Sequence, residues 1–118
     1  MRRFVVQAHT RNNRTHYDLM LESGETLKTW QMDSPPDQIP QTTIKIQDHR
    51  LIYLEYEGEI SNNRGSVKIW DKGNYATIKE KESGWVISLR GKLLDGGYQI
   101  SFIEGNKWKW NKLPLHNV

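Results

Sequence analysis

Residues 16–22, with the sequence His-Tyr-Asp-Leu-Met-Leu-Glu, decide the fold class. Side chains along an extended strand point alternately to opposite faces of a sheet. Three positions of this stretch are aromatic or aliphatic and form a stripe suited to a core: Tyr17, Leu19 and Leu21. The alternate positions share the other face: His16, Asp18, Met20 and Glu22. The stretch therefore predicts a strand that buries one face and presents an imidazole and a carboxylate on the other.

The same alternation recurs along the whole chain, and turn-forming residues interrupt it at short intervals. It predicts strands at residues 3–9, 16–22, 27–32, 42–47, 51–57, 66–70, 74–79, 85–89, 98–103 and 107–111. Turns are predicted at Ser23-Gly24, Asn62-Asn63, Lys72-Gly73, Ser83-Gly84, Asp95-Gly96-Gly97 and Gly105-Asn106. The proline-rich residues 33–40 cannot form a central strand and are expected to form a surface loop. Many short strands with close turns favour an all-β, compact single-domain β-barrel.

Length and composition limit the classes of function. The chain has 118 residues and a net charge of +3, which suits one domain over residues 1–118. It has no cysteine, so a disulfide framework, a thiolate nucleophile and a cysteine-ligated metal are excluded. No stretch approaches the roughly 20 apolar residues that a membrane helix needs. We therefore expect a cytoplasmic protein with no membrane partner.

A candidate metal site follows from the first two predicted strands. His9 ends the first strand, and residues 10–15 are few enough to connect it to the second strand as a hairpin. His9 would then lie beside His16 and Asp18, which are two residues apart and point the same way. Two imidazoles and a carboxylate suit a divalent ion such as Mn²⁺ or Zn²⁺, which can polarise a phosphoryl oxygen. The spacing leaves the identity of the ion open.

His49 is a further histidine that could join this site. It follows a predicted strand in which Ile44 and Ile46 face one way, so that Lys45, Gln47 and His49 would face the other. A histidine near a bound phosphate can donate a hydrogen bond to it or protonate a leaving oxygen. Four arginines in turns or at strand ends near these histidines could also donate to phosphate: Arg11, Arg14, Arg50 and Arg64.

Each of these residues also has a plainer interpretation. Single histidines on strands more often have a structural or surface role than a metal-binding one. Surface arginines and lysines mostly keep a protein soluble. The tryptophans are expected in the core or at an end of the barrel, and His116, near the C terminus, is expected to take no part in the site.

Several strings of residues, in order along nearly the whole chain, carry a resemblance to a known family. They are FVVQAH (4–9), HYDLMLE (16–22), LKTW (27–30), DHRLIYLEYEGEI (48–60), VKIWDKGNY (67–75) and LRGKLLDGGYQISF (89–102). Together they resemble the 3′-phosphoesterase domain of bacterial ligase D and its small stand-alone relatives. The resemblance implies a β-barrel with a surface groove that holds the site. It also implies manganese-dependent removal of a 3′-phosphate or 3′-ribonucleotide from DNA primer ends, with repair ligases and polymerases as further partners.

The resemblance implies roles for individual residues as well. The family's metal ligands fall on His9, His16 and Asp18, and its phosphate-contacting histidine falls on His49. A family tyrosine near the same groove matches Tyr53, and an arginine just before the second histidine matches Arg14.

The chain departs from the ligase-linked members of the family at parts of the phosphate clamp. Met20 stands where those members have arginine, and Ser34 lies near the position of a lysine. Groove residues near Gln41 and Gln47 also differ, and residues 61–65 replace a longer loop. Four cations are candidates to replace the missing contacts: Arg11, Arg50, Arg64 and Lys45.

Three hypotheses for the function result. The leading one is a metal-dependent phosphoesterase that heals DNA 3′ ends. The second is a catalytically weak or inactive barrel that binds DNA ends or a repair partner, because Met20 and Ser34 replace clamp residues. The third is a metal-dependent esterase that acts on a small phosphorylated compound.

Overall fold

The computed structural model describes residues 1–114, so that His116 lies outside the described residues. The described residues form nine strands: β1 (Arg2–Arg11), β2 (Arg14–Ser23), β3 (Thr26–Met32), β4 (Gln41–Arg50), β5 (Gly58–Glu59), β6 (Ser66–Lys81), β7 (Gly84–Gly91), β8 (Asp95–Glu104) and β9 (Lys107–Lys112). A short 3-10 helix, Leu51–Leu54, follows β4. The predicted all-β fold class is confirmed. In the described part of the chain, no helix is long and apolar enough to cross a membrane.

Eight of the strands close into an antiparallel barrel. Their order is β1-β2-β3-β4-β9-β8-β7-β6, and β6 pairs back with β1. The two-residue strand β5 pairs with the first part of β6. Within residues 1–114, each of the eight barrel strands pairs with a neighbouring strand on both sides over at least part of its length.

The barrel interior contains the larger of two apolar clusters. Leu19 and Leu21 of β2 are fully buried in it, which confirms the predicted core stripe. Aromatic rings fill the barrel through oriented contacts. The indole of Trp30 meets that of Trp85 edge to face at 5.7 Å, and Tyr98 stacks on Trp110 at 4.9 Å.

The smaller cluster lies on the outer surface of the barrel. Val5, Met20 and Leu27 alternate with inward-facing residues of their strands and therefore face outward. They are nevertheless fully buried, because Leu54 of the 3-10 helix packs against them. We call residues 51–65, which run between β4 and β6, the covering segment. It covers part of the outer face of β1, β2 and β3.

The prediction of a strand at residues 51–57 was wrong. The buried Gln7 of β1 donates its side-chain amide to the main-chain oxygens of Tyr53 and Tyr56, each at 3.0 Å. These oxygens are therefore not available to a neighbouring strand. Burial of Leu54 against the outer cluster holds the same segment as a turn.

The predicted turn at Lys72-Gly73 was also wrong, because residues 66–81 form one continuous strand. The first part of β6 pairs with β1, and the second part pairs with β7. Gly73 permits this close pairing, since a Cβ atom there would overlap the main-chain oxygen of Arg90. Residues 95–97 likewise belong to β8 instead of a turn. The preceding residues 92–94 are held by hydrogen bonds from their backbone amides to the buried carboxylate of Asp71.

Candidate metal centre and substrate groove

The first hairpin brings three of the predicted site residues together. His9 pairs with His16 across β1 and β2, and Gln7 pairs with Asp18 one step further along. The four side chains therefore point to the same outer face of the barrel. The imidazole rings of His9 and His16 lie 4.7 Å apart, edge to face.

His9, His16 and Asp18, which we call the metal triad, lie close enough together to be candidate ligands of one divalent ion. One potential ligand atom from each residue lies within 4.8 Å of the others. Nε2 of His16 is 3.3 Å from both carboxylate oxygens of Asp18. Two ligand atoms at about 2.1 Å from a common ion are separated by roughly 3.4 Å at a tetrahedral angle. The pair is therefore already spaced as two ligands of one ion would be.

The Asp18 carboxylate gives a second indication. It is only 4% exposed, and its Oδ1 atom has no hydrogen-bond partner among the described residues. Nε2 of His16 lies 3.3 Å from this oxygen without forming a hydrogen bond to it, and a buried carboxylate oxygen that lacks a donor is costly. A cation at this position would supply the missing interaction, and two imidazoles with a carboxylate are donors suited to such a cation.

Hydrogen bonds from the surroundings orient the triad. Nε2 of His9 lies 2.6 Å from the main-chain oxygen of Arg64. An oxygen of this kind can only accept, so Nε2 carries the proton and Nδ1 carries the lone pair. Metal-binding histidines commonly have their second nitrogen fixed by such an acceptor.

The electrostatics of His16 follow from its neighbour. The hydrogen bond to Asp18 raises the pKa of the His16 imidazole above its ordinary value, although partial burial acts in the opposite direction. Without an ion, the His16 imidazole therefore holds its proton more tightly. An ion bound by both residues would displace that proton.

A groove opens between the hairpin and the covering segment. Its volume is about 300 Å³, and residues from several distant parts of the chain line it. They include six of the residues predicted for the site: His9, Asp18, His49, Arg50, Tyr53 and Arg64. The fold thus brings these six residues into one groove, while His16 lies beside it in contact with His9 and Asp18.

His49 reaches the groove through an irregularity in β4. Ile46 pairs with Thr29 and His49 with Leu27, so that two residues of β4 oppose a single residue of β3. His49 therefore faces outward. Its Nδ1 donates to the main-chain oxygen of Gln47 at 3.1 Å, and its ring meets Tyr53 edge to face at 5.8 Å.

The same irregularity places Lys45 and His49 on opposite faces of β4, whereas the sequence predicted that they share one face. Lys45 pairs with the inward-facing Trp30, and its Nζ atom lies 5.3 Å from the indole centre. Partial burial lowers the pKa of this ammonium group. Lys45 does not line the groove that contains His49.

The four predicted arginines divide into two pairs. Arg50 and Arg64 line the groove. The guanidinium of Arg50 lies 5.9 Å from the ring centre of Tyr53, and Nε of Arg64 donates to the main-chain oxygen of Ser61 at 2.8 Å. Arg11 and Arg14 instead pair with each other at the exposed tip of the hairpin, on the face of His9 but outside the groove.

Gln7 is a groove residue that the sequence analysis did not identify. It is 2% exposed and ties the covering segment to β1. The available signal was a glutamine on the face of His9 in an otherwise apolar strand. Met20 and Ser34, the two departures from the family's phosphate clamp, lie in different surroundings. Met20 is fully buried in the outer cluster, and Ser34 lies in the predicted loop, where its main-chain oxygen accepts from Gln41.

Comparison with known proteins identifies the family. The profile of the family described as the DNA ligase D 3′-phosphoesterase domain matches residues 7–101. The chain belongs to this family. The match begins at Gln7 and includes the metal triad and the groove, which confirms the resemblance found in the sequence.

Curated relatives of the ligase D family cover nearly the whole chain. The multifunctional non-homologous end joining DNA repair protein LigD of Mycobacterium tuberculosis is 34% identical in an alignment 123 residues long. The alignment covers 93% of this chain and 16% of the relative. LigD of Mycolicibacterium smegmatis is 29% identical, with 90% and 16% covered. LigD of Pseudomonas aeruginosa is 28% identical, with 92% and 14% covered. The chain thus spans a small part of the length of these relatives.

Proposed function

We propose that this chain is a metal-dependent phosphoesterase that removes a 3′-phosphate or a 3′-ribonucleotide from DNA primer ends. The observation that carries the proposal is the buried Oδ1 of Asp18, which has no hydrogen-bond partner and lies near His9 and His16 at a groove that His9 and Asp18 line. Membership of the ligase D 3′-phosphoesterase family supports the reaction class. The end-joining role in the names of the relatives supports DNA ends as the substrate and repair ligases or polymerases as partners.

The roles of the residues follow from their positions in the groove. A divalent ion, most simply Mn²⁺, held by the metal triad would polarise a phosphoryl oxygen. Arg50 and Arg64 line the same groove and would donate to the remaining phosphate oxygens. Nδ1 of His49 is occupied by its bond to Gln47, which leaves Nε2 to hold or pass a proton. Tyr53 would orient the substrate.

The reaction on a 3′-phosphate is a hydrolysis. The oxygen of a water molecule forms a bond with phosphorus while the bond between phosphorus and the 3′ oxygen breaks. That oxygen takes up a proton, and the products are a 3′ hydroxyl and inorganic phosphate. A proton on Nε2 of His49 would assist the leaving oxygen.

The arginines at the hairpin tip support a polyanionic substrate. Arg11 and Arg14 are directly opposite each other, an arrangement that is unfavourable unless an anion is shared between them. Neither forms an ion pair within residues 1–114. Two residues of a strand span about 6.7 Å, so the tip is one such step from His9 and His16. We assign Arg11 and Arg14 to the next phosphate of the strand whose end lies at the metal triad.

The test is release of phosphate from a 3′-phosphorylated primer with a panel of divalent ions. We expect turnover with Mn²⁺ and no turnover after chelation. Asp18→Ala should lower kcat/KM by about a thousandfold, the upper range for loss of one group that stabilises transition-state charge. Asp37→Ala, an exposed aspartate in the loop after β3, is the matched control and should behave like the parent. Full activity of Asp18→Ala at unchanged folding would overturn the assignment.

A second function is favoured by one observation, the complete burial of Met20 at the position of a family arginine. A barrel that lacks this arginine would bind 3′-phosphorylated ends without hydrolysing them. The same assay separates the two functions, because binding without turnover across the ion panel supports the binding module. Faster hydrolysis of a small phosphorylated compound than of any primer would favour the third hypothesis.

A further inference from the structure

A second cavity continues the groove beyond Tyr53. Its volume is about 230 Å³, and it shares Arg50, Tyr53 and Ile60 with the groove. Ile52 and Tyr56 contribute further walls. A molecule with its phosphate at the metal triad and its body along the groove would therefore extend into this cavity.

Aromatic and aliphatic side chains make up four of the seven residues that line the second cavity, and Arg50, Glu59 and Ser61 are the others. The rings of His49, Tyr53 and Tyr56 form a row in which neighbouring centres are 5.8 Å apart. Ile52 is 62% exposed beside this row. Such exposure of a large aliphatic side chain next to two tyrosines creates an apolar surface that water covers poorly.

The position of this apolar wall is fixed by hydrogen bonds. Gln7 holds the main-chain oxygens of Tyr53 and Tyr56. The hydroxyl of Tyr56 donates to the main-chain oxygen of Glu59, and the amide of Ile60 donates to the main-chain oxygen of Gly65 at 2.8 Å. The cavity is thus built in advance of any ligand, which lowers the entropic cost of binding.

We propose that this cavity binds the nucleobase of the nucleotide that carries the 3′-phosphate. The proposal rests on the proposed function, because it places the phosphate of the same nucleotide at the metal triad. A nucleobase is a flat ring system that stacks on aromatic side chains regardless of its identity. The planar guanidinium of Arg50, at the boundary of the two cavities, can stack on the same base. The site therefore distinguishes a terminal nucleoside from an abasic sugar and accepts all four bases.

The test compares two single-stranded oligonucleotides that end in a 3′-phosphate, one with its terminal base and one abasic at that residue. Binding to the parent chain is measured by fluorescence anisotropy with Mn²⁺ present, on analogues of both oligonucleotides whose terminal phosphate is a non-hydrolysable phosphonate, so that the ion is kept and no hydrolysis occurs. We expect the abasic oligonucleotide to bind about tenfold more weakly, within the range that stacking of one base provides. Equal affinity for the two oligonucleotides would overturn the proposal.

Variants of the cavity residues test whether the difference in affinity between the two oligonucleotides arises at this cavity. In Ile52→Ala combined with Ile60→Ala, the tenfold difference should fall below about twofold. Ile52→Ala alone changes an exposed side chain, so it keeps the test valid if the double variant folds poorly, and it should reduce the difference in part. Ile78→Ala, 55% exposed on β6 and outside both cavities, is the matched control and should keep the full difference. An undiminished difference in both cavity variants would overturn the proposal.

The binding and turnover results together distinguish failure of the base subsite from failure of the proposed catalytic function. A tenfold difference in binding without turnover on any metal would contradict the catalytic proposal and support the base subsite. Turnover of both oligonucleotides with equal affinity would support catalysis and overturn the base subsite.

Discussion

The hairpins β1–β2 and β8–β9 belong to the same barrel and bury similar inward faces, yet their outward faces differ. Outward-facing Gln7 and Asp18 of the first hairpin are buried, whereas outward-facing Gln99 and Lys109 of the last hairpin are exposed. The difference comes from the covering segment, which packs on the first hairpin and leaves the last one bare. A strand pair of ordinary geometry thus becomes a candidate site when its outer face is shielded from water.

Shielding from water also changes the free-energy cost of placing a polar side chain on this face. Buried Gln7 has two acceptors for its amide, so its burial is compensated. Asp18, its direct cross-strand partner, is buried with an unpartnered oxygen. Of these neighbours, Gln7 therefore holds the covering segment, and Asp18 keeps a carboxylate oxygen without a hydrogen-bond partner.

The largest expected effect on stability comes from removing the apolar contact between the covering segment and the first hairpin. Leu54→Ala should lower the free energy of unfolding by about 3 kcal/mol, as for other buried leucines replaced by alanine. Leu93→Ala, 53% exposed before β8, should change it by less than about 0.5 kcal/mol. Urea denaturation followed by tryptophan fluorescence measures both variants. Equal losses would mean that the covering segment does not stabilise the outer face.

Gln7 and Gln99 are matched glutamines on the outward faces of the two hairpins, one buried and one exposed. Gln7→Ala removes two buried hydrogen bonds and should lower the free energy of unfolding by about 2 kcal/mol. Gln99→Ala at the exposed position of β8 should be within about 0.5 kcal/mol of the parent. Gln7→Ala should also increase hydrogen exchange in residues 51–56, because its acceptors lie there. Unchanged exchange in that segment would contradict the role given to Gln7.

The smallest effect is electrostatic and lies at the far end of the same face. The side-chain hydrogen bond from Arg3 holds the pKa of Glu22 below its ordinary value. A carboxylate with a lowered pKa adds stability above its unfolded-state pKa, and this contribution is lost as the pH falls through its folded-state pKa. Glu22→Gln should therefore be slightly less stable than the parent at neutral pH and equal to it in acid.

The control for this experiment is Glu104→Gln on the last hairpin, where the glutamate forms no ion pair within residues 1–114. Thermal melts are recorded from neutral to acidic pH. The difference in stability between Glu104→Gln and the parent should change less with pH than the corresponding difference for Glu22→Gln. A Glu22→Gln difference that is constant with pH would show that the carboxylate charge contributes nothing.

Much of the barrel was predictable, because its strands alternate clearly. The pattern at residues 16–22 correctly predicted which side chains of β2 enter the core. Hairpin length and alternation also predicted that His9 would lie beside His16 and Asp18. These features depend on local spacing, which the sequence records directly.

Other features depend on distant partners and were not predictable from alternation. The bulge after Ile46 reverses the face of Lys45 relative to His49, and it exists only in the pairing of β4 with β3. The 3-10 helix replaces a predicted strand because Gln7 and the outer cluster capture it. The long strand β6 has two successive partners, so its local turn signal at residues 72–73 was overridden.

The covering segment is a single uninterrupted stretch of chain, and its one short strand pairs only with β6. It could therefore be shortened, lengthened or exchanged between relatives without altering any of the eight pairings that close the barrel. The pairings that close the barrel and the groove wall contributed by residues 51–65 are in this way located in different parts of the chain. A library confined to residues 51–65 would vary the groove wall while the residues of the metal triad, all on β1 and β2, stay unchanged.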